Sequence, residues 1–270
     1  MKALIAMSGG VDSSVAACLM AEAGWDCVGI TMKLYHNEDI GVCSGHTCCS
    51  LDDVEDARAV AYKIGMPYYV FNFTDQFREC VIDPFISAYE NGMTPNPCIA
   101  CNRYLKFQKL YQRAKELGCE KIVTGHYARI VLDPQTGKYQ LKKAVDLTKD
   151  QSYVLYSLNQ EQLAHTAFPL GEMTKTEARE IAEQHDFINA RKHDSQDICF
   201  APDGDYVGFM ERFKGITFPQ GDFVDPKGRV IGRHKGIVHY TIGQHRGLGA
   251  DFAGPMYVSK ILPEKNQVVL

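Results

Sequence analysis

Three cysteines and one glycine-rich loop carry most of the chemistry that can be read in this 270-residue chain. Cys98 and Cys101 stand three apart in TPNPCIACN, residues 94–102, and Cys199 stands in DSQDICF, residues 194–200. A cysteine works as nucleophile or metal ligand through its thiolate. Asn96 can cap a helix and Pro97 suits the first helical position, so Cys98 and Cys101 share one face of a first turn. The positive end of that helix, aided by Arg103 and Lys106, favours the thiolate. Such a pair can be a metal clip, a redox pair, or one reactive thiol beside an inert one. Cys199, between Ile198 and Phe200, reads on its own as a buried hydrophobe.

The loop is SGGVDSS, residues 8–14. It lacks the Gly-Lys-Ser/Thr of a Walker A loop and is not GxGxxG. It still has the parts of a phosphate site. Gly9 and Gly10 let backbone N–H groups approach an anion, Ser8, Ser13 and Ser14 offer hydroxyls, and the helix that follows adds its dipole. Asp12 beside a polyanion implies either a Mg²⁺ ligand or a helix cap. The bland alternative is a glycine turn ahead of a capped helix.

The elements that position these groups alternate between strand and helix. Residues 2–7 (KALIAM) form an apolar strand that runs into the loop, and a helix follows to about Ala23. Cys27–Met32 reads as a second strand. Ser50 caps a helix that ends near Lys63 with Gly65 as stop. Tyr68–Phe73 is a third strand, a long helix covers about Cys101–Leu117, and Lys121–Thr124 is a fourth strand ending at Gly125-His126. Strands alternating with helices predict an α/β fold, a doubly wound parallel sheet. Ligands then bind at the carboxyl ends of the strands. Beyond about Pro202 glycine becomes frequent, and ITF, DFV, RVI, GIVHYTI and PMYVSKIL read as pieces of a small β-rich module. The terminal QVVL reads like the middle of a strand, which suggests a further domain beyond it. Residues 34–49 form a long polar loop. Its Cys43, Cys48, Cys49 and His46 read as incidental or structural, or else as a metal site or secondary sulfur relay.

Ten cysteines with no framework spacing, in a chain this long, imply reduced thiols that are buried, catalytic or metal-binding. Cys18, Cys27, Cys80 and Cys119 lie among apolar neighbours and read as small core residues. The first residues are too short an apolar run for a signal peptide, and no run suits a membrane helix, so a cytoplasmic enzyme with no membrane partner is expected. Net charge is −4, which does not by itself suggest nucleic acid. Residues 206–270, however, carry nine Lys/Arg against five Asp/Glu. Lys227 to Arg246 contains five Lys/Arg and three His without an acid, a solvated basic face or an RNA-contacting surface.

SGGVDSS resembles the PP-loop of the ATP pyrophosphatases, which have an adenine nucleotide α-hydrolase-like fold and adenylate a carbonyl oxygen. The chain further resembles the tRNA-specific 2-thiouridylases over nearly its whole length. The resemblance rests on SGGVDSS at 8–14, TPNPCIACNRYLKF at 94–107, TGHYAR at 124–129, KDQSYVLY at 149–156, DSQDICF at 194–200 and YTIGQHRGLG at 240–249. It implies a PP-loop catalytic domain over 1–203 and a small β-rich tRNA-recognition module over 204–270, with the family's C-terminal β-barrel absent. It implies an ATP-dependent sulfurtransferase acting at carbon 2 of the wobble uridine in tRNAs for Lys, Glu and Gln. ATP, with Mg²⁺, would bind Ala6, Met7, Ser8, Gly9, Gly10, Val11, Asp12 and Ser13, with Met32 and Gly125 near adenine and ribose. Asn96, Pro97 and Cys98 would meet the target base, His126 would lie near the RNA, and Lys149, Asp150 and Gln151 would meet the anticodon arm. Cys199 would carry a persulfide delivered by a cysteine desulfurase or a sulfur-relay protein, and Cys101 would close a disulfide with it as sulfur leaves.

Many family members carry Asp where this chain has Cys98. The change removes a carboxylate that assists base activation and creates a trio, Cys98, Cys101 and Cys199, able to hold a [4Fe–4S] cluster with one open iron. A lone Zn²⁺ would lack a fourth ligand. Two rival readings use the same loop. A PP-loop amide ligase needs no cysteines, and a non-catalytic RNA-binding or sulfur-relay paralogue needs no ATP cleavage.

Overall fold

The computed structural model describes residues 1–36, 51–193, 198–201, 204–249, 252 and 254–270. The cluster of Cys43, His46, Cys48 and Cys49 lies outside them, as do the first four residues of DSQDICF.

The amino-terminal half alternates as its apolar runs predict. Strand β1 (Lys2–Ala6) leads through the glycine loop into helix α1 (Val11–Glu22), and β2 (Asp26–Lys33) follows. Helix α2 (Leu51–Ile64) carries Asp52 and Asp53 in its first turn and Lys63 in its last, and ends at Gly65, whose φ is +84°. Strand β3 is Tyr68–Asn72. Short helices α3 (Thr74–Phe77) and α4 (Asp83–Glu90) are joined by a π-wound turn, Arg78–Ile82. Helix α5 (Pro97–Ala100) runs into a longer π-wound stretch, Cys101–Leu110, and then α6 (Tyr111–Glu116). That helix begins at Pro97 behind the Asn96 cap, as those two residues predict, four residues ahead of Cys101. Strand β4 (Lys121–Val123), the hairpin β5 (Ala128–Leu132) and β6 (Tyr139–Lys143), α7 (Gln160–Ala164), β7 (Thr166–Ala167) and α8 (Lys175–Gln184) complete this part.

The main sheet has order β3-β2-β1-β4-β7, all parallel. Alternation along β1 loads both faces. Leu4 packs with Ile30, Phe77, Leu105 and Ile122 on one side. Ala3 and Ile5 pack with Val15, Ala57, Val123 and Ala182 on the other. The doubly wound fold is therefore present, with α1, α2 and α8 covering one face and the α3–α6 segment the other. Cys18, Cys27 and Cys119 are buried as expected, whereas Cys80 is only half-buried. Among the described residues no helix is long and apolar enough to cross a membrane.

Past residue 203 the chain opens with helix α9 (Tyr206–Lys214), where only β-rich texture was expected. Its Val207, Phe209 and Met210 belong to the same apolar cluster as Phe77 and Phe85. A separate small core then forms around Phe223, Tyr240, Val258 and Val268. It is built on strands β8 (Gly221–Val224), β9 (Val230–His234), β10 (Lys260–Leu262) and β11 (Gln267–Val269), in order β10-β11-β8-β9. DFV, RVI and the end of PMYVSKIL are strands. ITF is not, and GIVHYTI holds a 3₁₀ turn at Ile237–His239 after Gly236, whose φ of +127° turns the chain out of the sheet. The terminal QVV pairs on both sides, so it is an interior strand.

The basic run is less charged than its sequence suggests. Arg229 pairs with Asp225 and Arg233 with Asp222. Burial lowers the pKa of both His234 and His239. At His234, Nδ1 accepts the Gly236 N–H at 3.0 Å and Nε2 lies 3.2 Å from the Asn266 carbonyl oxygen. A neutral ring protonated on Nε2 satisfies both bonds. The unfolded chain takes up these protons near pH ~6.5, while the folded chain resists them. Stability is therefore full above that pH and falls as acid is added below it. A thermal melt should show Tm dropping between about pH 7 and pH 5.5, with His234→Gln flattening the slope. An unchanged Tm across that window would contradict the assignment.

Candidate active site

A cavity of about 330 Å³ opens at the carboxyl ends of β1, β2 and β4. It is where a doubly wound sheet places its ligands. Ala6, Met7, Ser8, Asp12 and Ser13 enter it from the glycine loop, Met32 from the end of β2, and Gly125 and His126 from the end of β4. Pro97, Cys98 and Cys101 enter from the start of α5, with Lys106, Gln151 and Cys199 completing the wall. Of the predicted residues, Gly9, Gly10, Val11, Asn96, Lys149 and Asp150 do not line it.

The glycine loop is held from behind. Gly9 has φ +77°, and a Cβ there would stand 2.4 Å from the Asp53 carbonyl oxygen, so both conformation and space demand glycine. Gly10 is the N-cap of α1 and makes no side-chain cap bond, so Asp12 does not serve as the cap. Ser13 Oγ donates to the Gly10 carbonyl at 3.0 Å and accepts the Ser8 N–H at 3.1 Å. Asn189, 2% exposed, donates from Nδ2 to the Gly9 carbonyl at 2.8 Å and to Ser14 Oγ at 2.9 Å. Lys192 reaches Asp53 and Asp56, each at 2.6 Å, and so braces the start of α2 against the loop.

Asp12 has partners that no local reading suggested. Its Oδ1 accepts from Lys175 Nζ at 2.7 Å and from the Tyr127 hydroxyl at 2.9 Å. Lys175 opens α8, where Thr174 and Glu177 form a capping box. The ammonium is thus fixed beside the loop on a rigid helix start. The TKTE string of that box was a readable helix signal, but nothing in it pointed at Asp12.

Gly125 is packed against the same turn. A Cβ on it would lie 2.7 Å from the Asp12 carbonyl carbon and 2.7 Å from the Ser13 nitrogen. Overpacking of this kind costs about 1–3 kcal/mol. Gly125→Ala should weaken binding of the ATP that the PP-loop resemblance implies about ten- to hundredfold, measured by titration, while the protein stays folded. Unchanged affinity would show that the loop is free to move aside.

His126 follows directly. It is buried, with Nδ1 2.6 Å from Thr124 Oγ1 and its ring against Phe107 and Phe168. Burial, and then the Lys106 charge, push its pKa well below the ordinary histidine value. The ring is neutral at physiological pH and can offer hydrogen bonds, not charge.

The cysteine helix behaves as its sequence predicts at the cap. Asn96 Oδ1 accepts the Cys98 N–H at 3.0 Å. The two thiols then diverge, since Cys98 is exposed and Cys101 buried. The winding changes from α to π at Cys101, and π-turns of this kind are frequent at functional sites. Cys199, half-buried, arrives from the far end of the domain. Its neighbour Phe200 is 1% exposed and meets Phe77, Phe85 and Phe209 at ring separations of 5.8, 5.2 and 4.9 Å. The Tyr35 hydroxyl donates to the Cys199 carbonyl at 2.8 Å. An aromatic anchor and one hydrogen bond thus hold Cys199 at the cavity wall shared with Cys98 and Cys101.

The KDQSYVLY segment closes the other side. Gln151 and Tyr127 bond reciprocally: the Gln151 N–H donates to the Tyr127 carbonyl at 2.8 Å, and the Tyr127 N–H donates to Gln151 Oε1 at 3.0 Å. Asp150 is occupied in shaping the turn, accepting from the Ala144 N–H at 2.9 Å and Ser152 Oγ at 2.8 Å. Burial raises its pKa, but these bonds outweigh burial and hold it below the ordinary carboxylate value. Asn102 donates to the Val154 carbonyl at 3.3 Å, tying the cysteine helix to this segment. Tyr153 and Tyr156 present exposed rings beside it, a feature of nucleobase-stacking surfaces that the motif match did not single out.

Among the described residues, Cys98, Cys101 and Cys199 do not draw together to the spacing of a single-ion metal site.

Residues 1–203 match the family described as "tRNA methyl transferase HUP domain", and residues 209–270 match "tRNA methyl transferase PRC-barrel domain". The chain is 51% identical over 269 residues to the tRNA-specific 2-thiouridylase MnmA of Clostridioides difficile (strain 630), covering all of this chain and 74% of that protein. It is 50% identical over 270 residues to the protein of the same name from Lachnoclostridium phytofermentans, covering 75% of it. Among solved structures, a 4-thiouridine synthetase–RNA complex with bound ATP aligns at 20% identity and TM-score 0.44, over 78% of this chain and 50% of that one.

Proposed function

The chain belongs to the tRNA-specific 2-thiouridylase family, and from that premise we propose that it adenylates a tRNA uridine with ATP and replaces the activated oxygen by sulfur. The observation that carries this reading is the meeting, in one cavity, of a PP-loop wall with the Cys98/Cys101 pair and with Cys199, about a hundred residues further on. An amide ligase has no use for those thiols, and methyl transfer has no use for the loop.

The loop N–H groups and the start of α1 would take the ATP phosphates. Lys175 and Asp12 form a charge pair at the same place. Asp12, whose Oδ1 accepts from Lys175 and Tyr127, is the carboxylate that would hold a Mg²⁺ here, which would supply neutralisation of the phosphate charge. Uridine O2 is a poor leaving group, and adenylation turns it into AMP. Neutral His126 and the Gln151 amide would orient the base, with Met32 and Gly125 against the nucleoside.

Cys199 would arrive carrying a terminal sulfur as a persulfide, supplied by a cysteine desulfurase or a relay protein. That sulfur attacks carbon 2, AMP departs, and the RNA is left joined to Cys199 Sγ through a disulfide. The Cys101 thiolate then attacks Cys199 Sγ, forming the Cys101–Cys199 disulfide and freeing 2-thiouridine. An external two-electron reductant resets the pair. Cys98, exposed beside the cap, stands where the family resemblance implies Asp in many members. Cys98, Cys101 and Cys199, which line one cavity wall, are also the residues that would hold a [4Fe–4S] cluster, which would supply a sulfur-carrying route in place of the persulfide. We assign the target to the wobble uridine of tRNAs for Lys, Glu and Gln, read by residues 94–98 and 149–156 and by the module after residue 203.

The test is reconstitution with unmodified tRNA, ATP and a persulfide donor. Formation of 2-thiouridine with AMP and pyrophosphate in equal amounts is the expected result. tRNA binding without AMP formation would leave the relay-paralogue reading instead. Iron and sulfide assays on anaerobically purified wild type and Cys98→Ala separate the two sulfur routes. Colourless, active protein supports the persulfide, and brown protein that bleaches on mutation supports the cluster.

A further inference from the structure

The carboxyl-terminal end of α1 meets the residue that follows α8 on the side of the sheet away from the active-site thiols. Cys18 belongs to the apolar cluster of Ala3, Ile5 and Val15, whereas Cys101 and Cys199 pack with the opposite one. Cys18 and Glu22 lie one helical turn apart and both point toward His185. Glu22 Oε1 is 3.2 Å from His185 Nε2 and 3.7 Å from Cys18 Sγ. A sulfur, a nitrogen and a carboxylate oxygen all fall within 4.8 Å of one another.

We propose that Cys18, Glu22 and His185 form a binding site for a divalent transition-metal ion, Zn²⁺ foremost, with water as the fourth ligand. The spacing matches the geometry. Zinc–sulfur bonds of about 2.3 Å and zinc–nitrogen or –oxygen bonds of about 2.0–2.1 Å put tetrahedral ligand atoms about 3.3–3.6 Å apart. The two separations above bracket that range. The donor set selects the metal, since a thiolate and an imidazole suit Zn²⁺ and its neighbours and suit Mg²⁺ or Ca²⁺ poorly. The site is also built for orientation. His185 stacks on Phe187 with ring centroids 5.6 Å apart, and the i,i+4 pair on α1 is rigid.

Cys18 is 3% exposed, yet Glu22 and His185 are open to solvent, which gives an ion a way in. Burial, and then the Glu22 charge, push the metal-free thiol up to about 11. Binding must therefore expel a proton, and affinity should rise with pH. The role follows from where the two helices lead. Their opposite ends carry Asp12 and Lys175, paired at 2.7 Å. A metal here would pin α1 to α8 at the end remote from the phosphate loop.

The test is titration of the demetallated, reduced full chain with Zn²⁺ against a chromophoric chelator, together with thermal melts. Wild type and Cys80→Ala should bind one more ion than Cys18→Ala or His185→Ala, or hold it at least ~10-fold more tightly. The Zn²⁺-induced rise in Tm should shrink in both site variants. His185→Ala keeps the core intact, so it answers even if Cys18→Ala folds poorly. Equal stoichiometry, affinity and Tm shift in all four proteins would overturn the site, leaving a Glu22–His185 ion pair over a buried thiol.

Discussion

Replacing Cys199 with alanine is expected to abolish tRNA thiolation while pyrophosphate release from ATP in the presence of tRNA continues. Cys199 reaches the cavity on the Phe200 anchor and the Tyr35 bond, neither of which involves its thiol. The side of the cavity proposed for the nucleotide is built by other segments, from the glycine loop and Gly125. Loss of a covalent nucleophile typically costs about 10⁴–10⁶ in rate. Thiolation should fall by that order and adenylation by far less. Cys101→Ala has a different signature. Its removal leaves the first attack possible but the release impossible, so tRNA should accumulate on the protein through a disulfide to Cys199. Denaturing gels would show that adduct, and added thiol would dissolve it and release 2-thiouridine. Equal loss of adenylation and thiolation in Cys199→Ala, or no adduct with Cys101→Ala, would remove these two residues from the roles assigned to them.

Asp12→Ala and Lys175→Ala should each abolish adenylation and leave tRNA binding nearly unchanged. Asp12 holds the Lys175 ammonium beside the glycine loop, and Lys175 is nearly buried while the Asp12 side chain is one-third exposed. Removing either partner strands the other. The stability cost is about 1–3 kcal/mol, toward the low end because solvent reaches Asp12. The catalytic cost is larger. Loss of one preorganised charge at a developing phosphate anion is worth about 10²–10³ in kcat. Pyrophosphate release and filter binding of tRNA, measured on the same preparations, separate the two effects. Loss of tRNA binding in step with adenylation would show that the pair supports the fold as a whole.

Much of the catalytic half was legible because its signals are local. Each of the first four strands is an apolar run bounded by turn residues, and each was placed within two residues of its observed ends. The cap at Asn96 and the stop at Gly65 follow from single residues. The next strands were missed. Two-residue β7 is too short to announce itself and β6 (YQLKK) is mostly polar, whereas β5 (ARIVL) was missed although residues 130–132 form an apolar run. In the module after residue 203, GIVHYTI looks like a strand but carries Gly236, and its apolar residues pack from a 3₁₀ turn instead. The amphipathic spacing of α9 was hidden among glycines and aromatics.

Six motifs carried the family resemblance, and the amino-acid sequence by itself also determined the glycine loop, the capped cysteine helix and the positions of the first four strands. Those features rest on backbone conformation and periodicity, which neighbouring residues dictate. Only the tertiary structure decided the partners. Asp12 meets Lys175 across 163 positions, Asn189 braces Gly9 across 180, and Tyr35 holds Cys199 across 164. It also decided that the basic run is half neutralised and that Cys98 faces outward while Cys101 is buried. Such pairings depend on how sheet and helices stack, and stacking is set by the summed burial of side chains from distant segments, which leaves no fixed spacing in the chain to read.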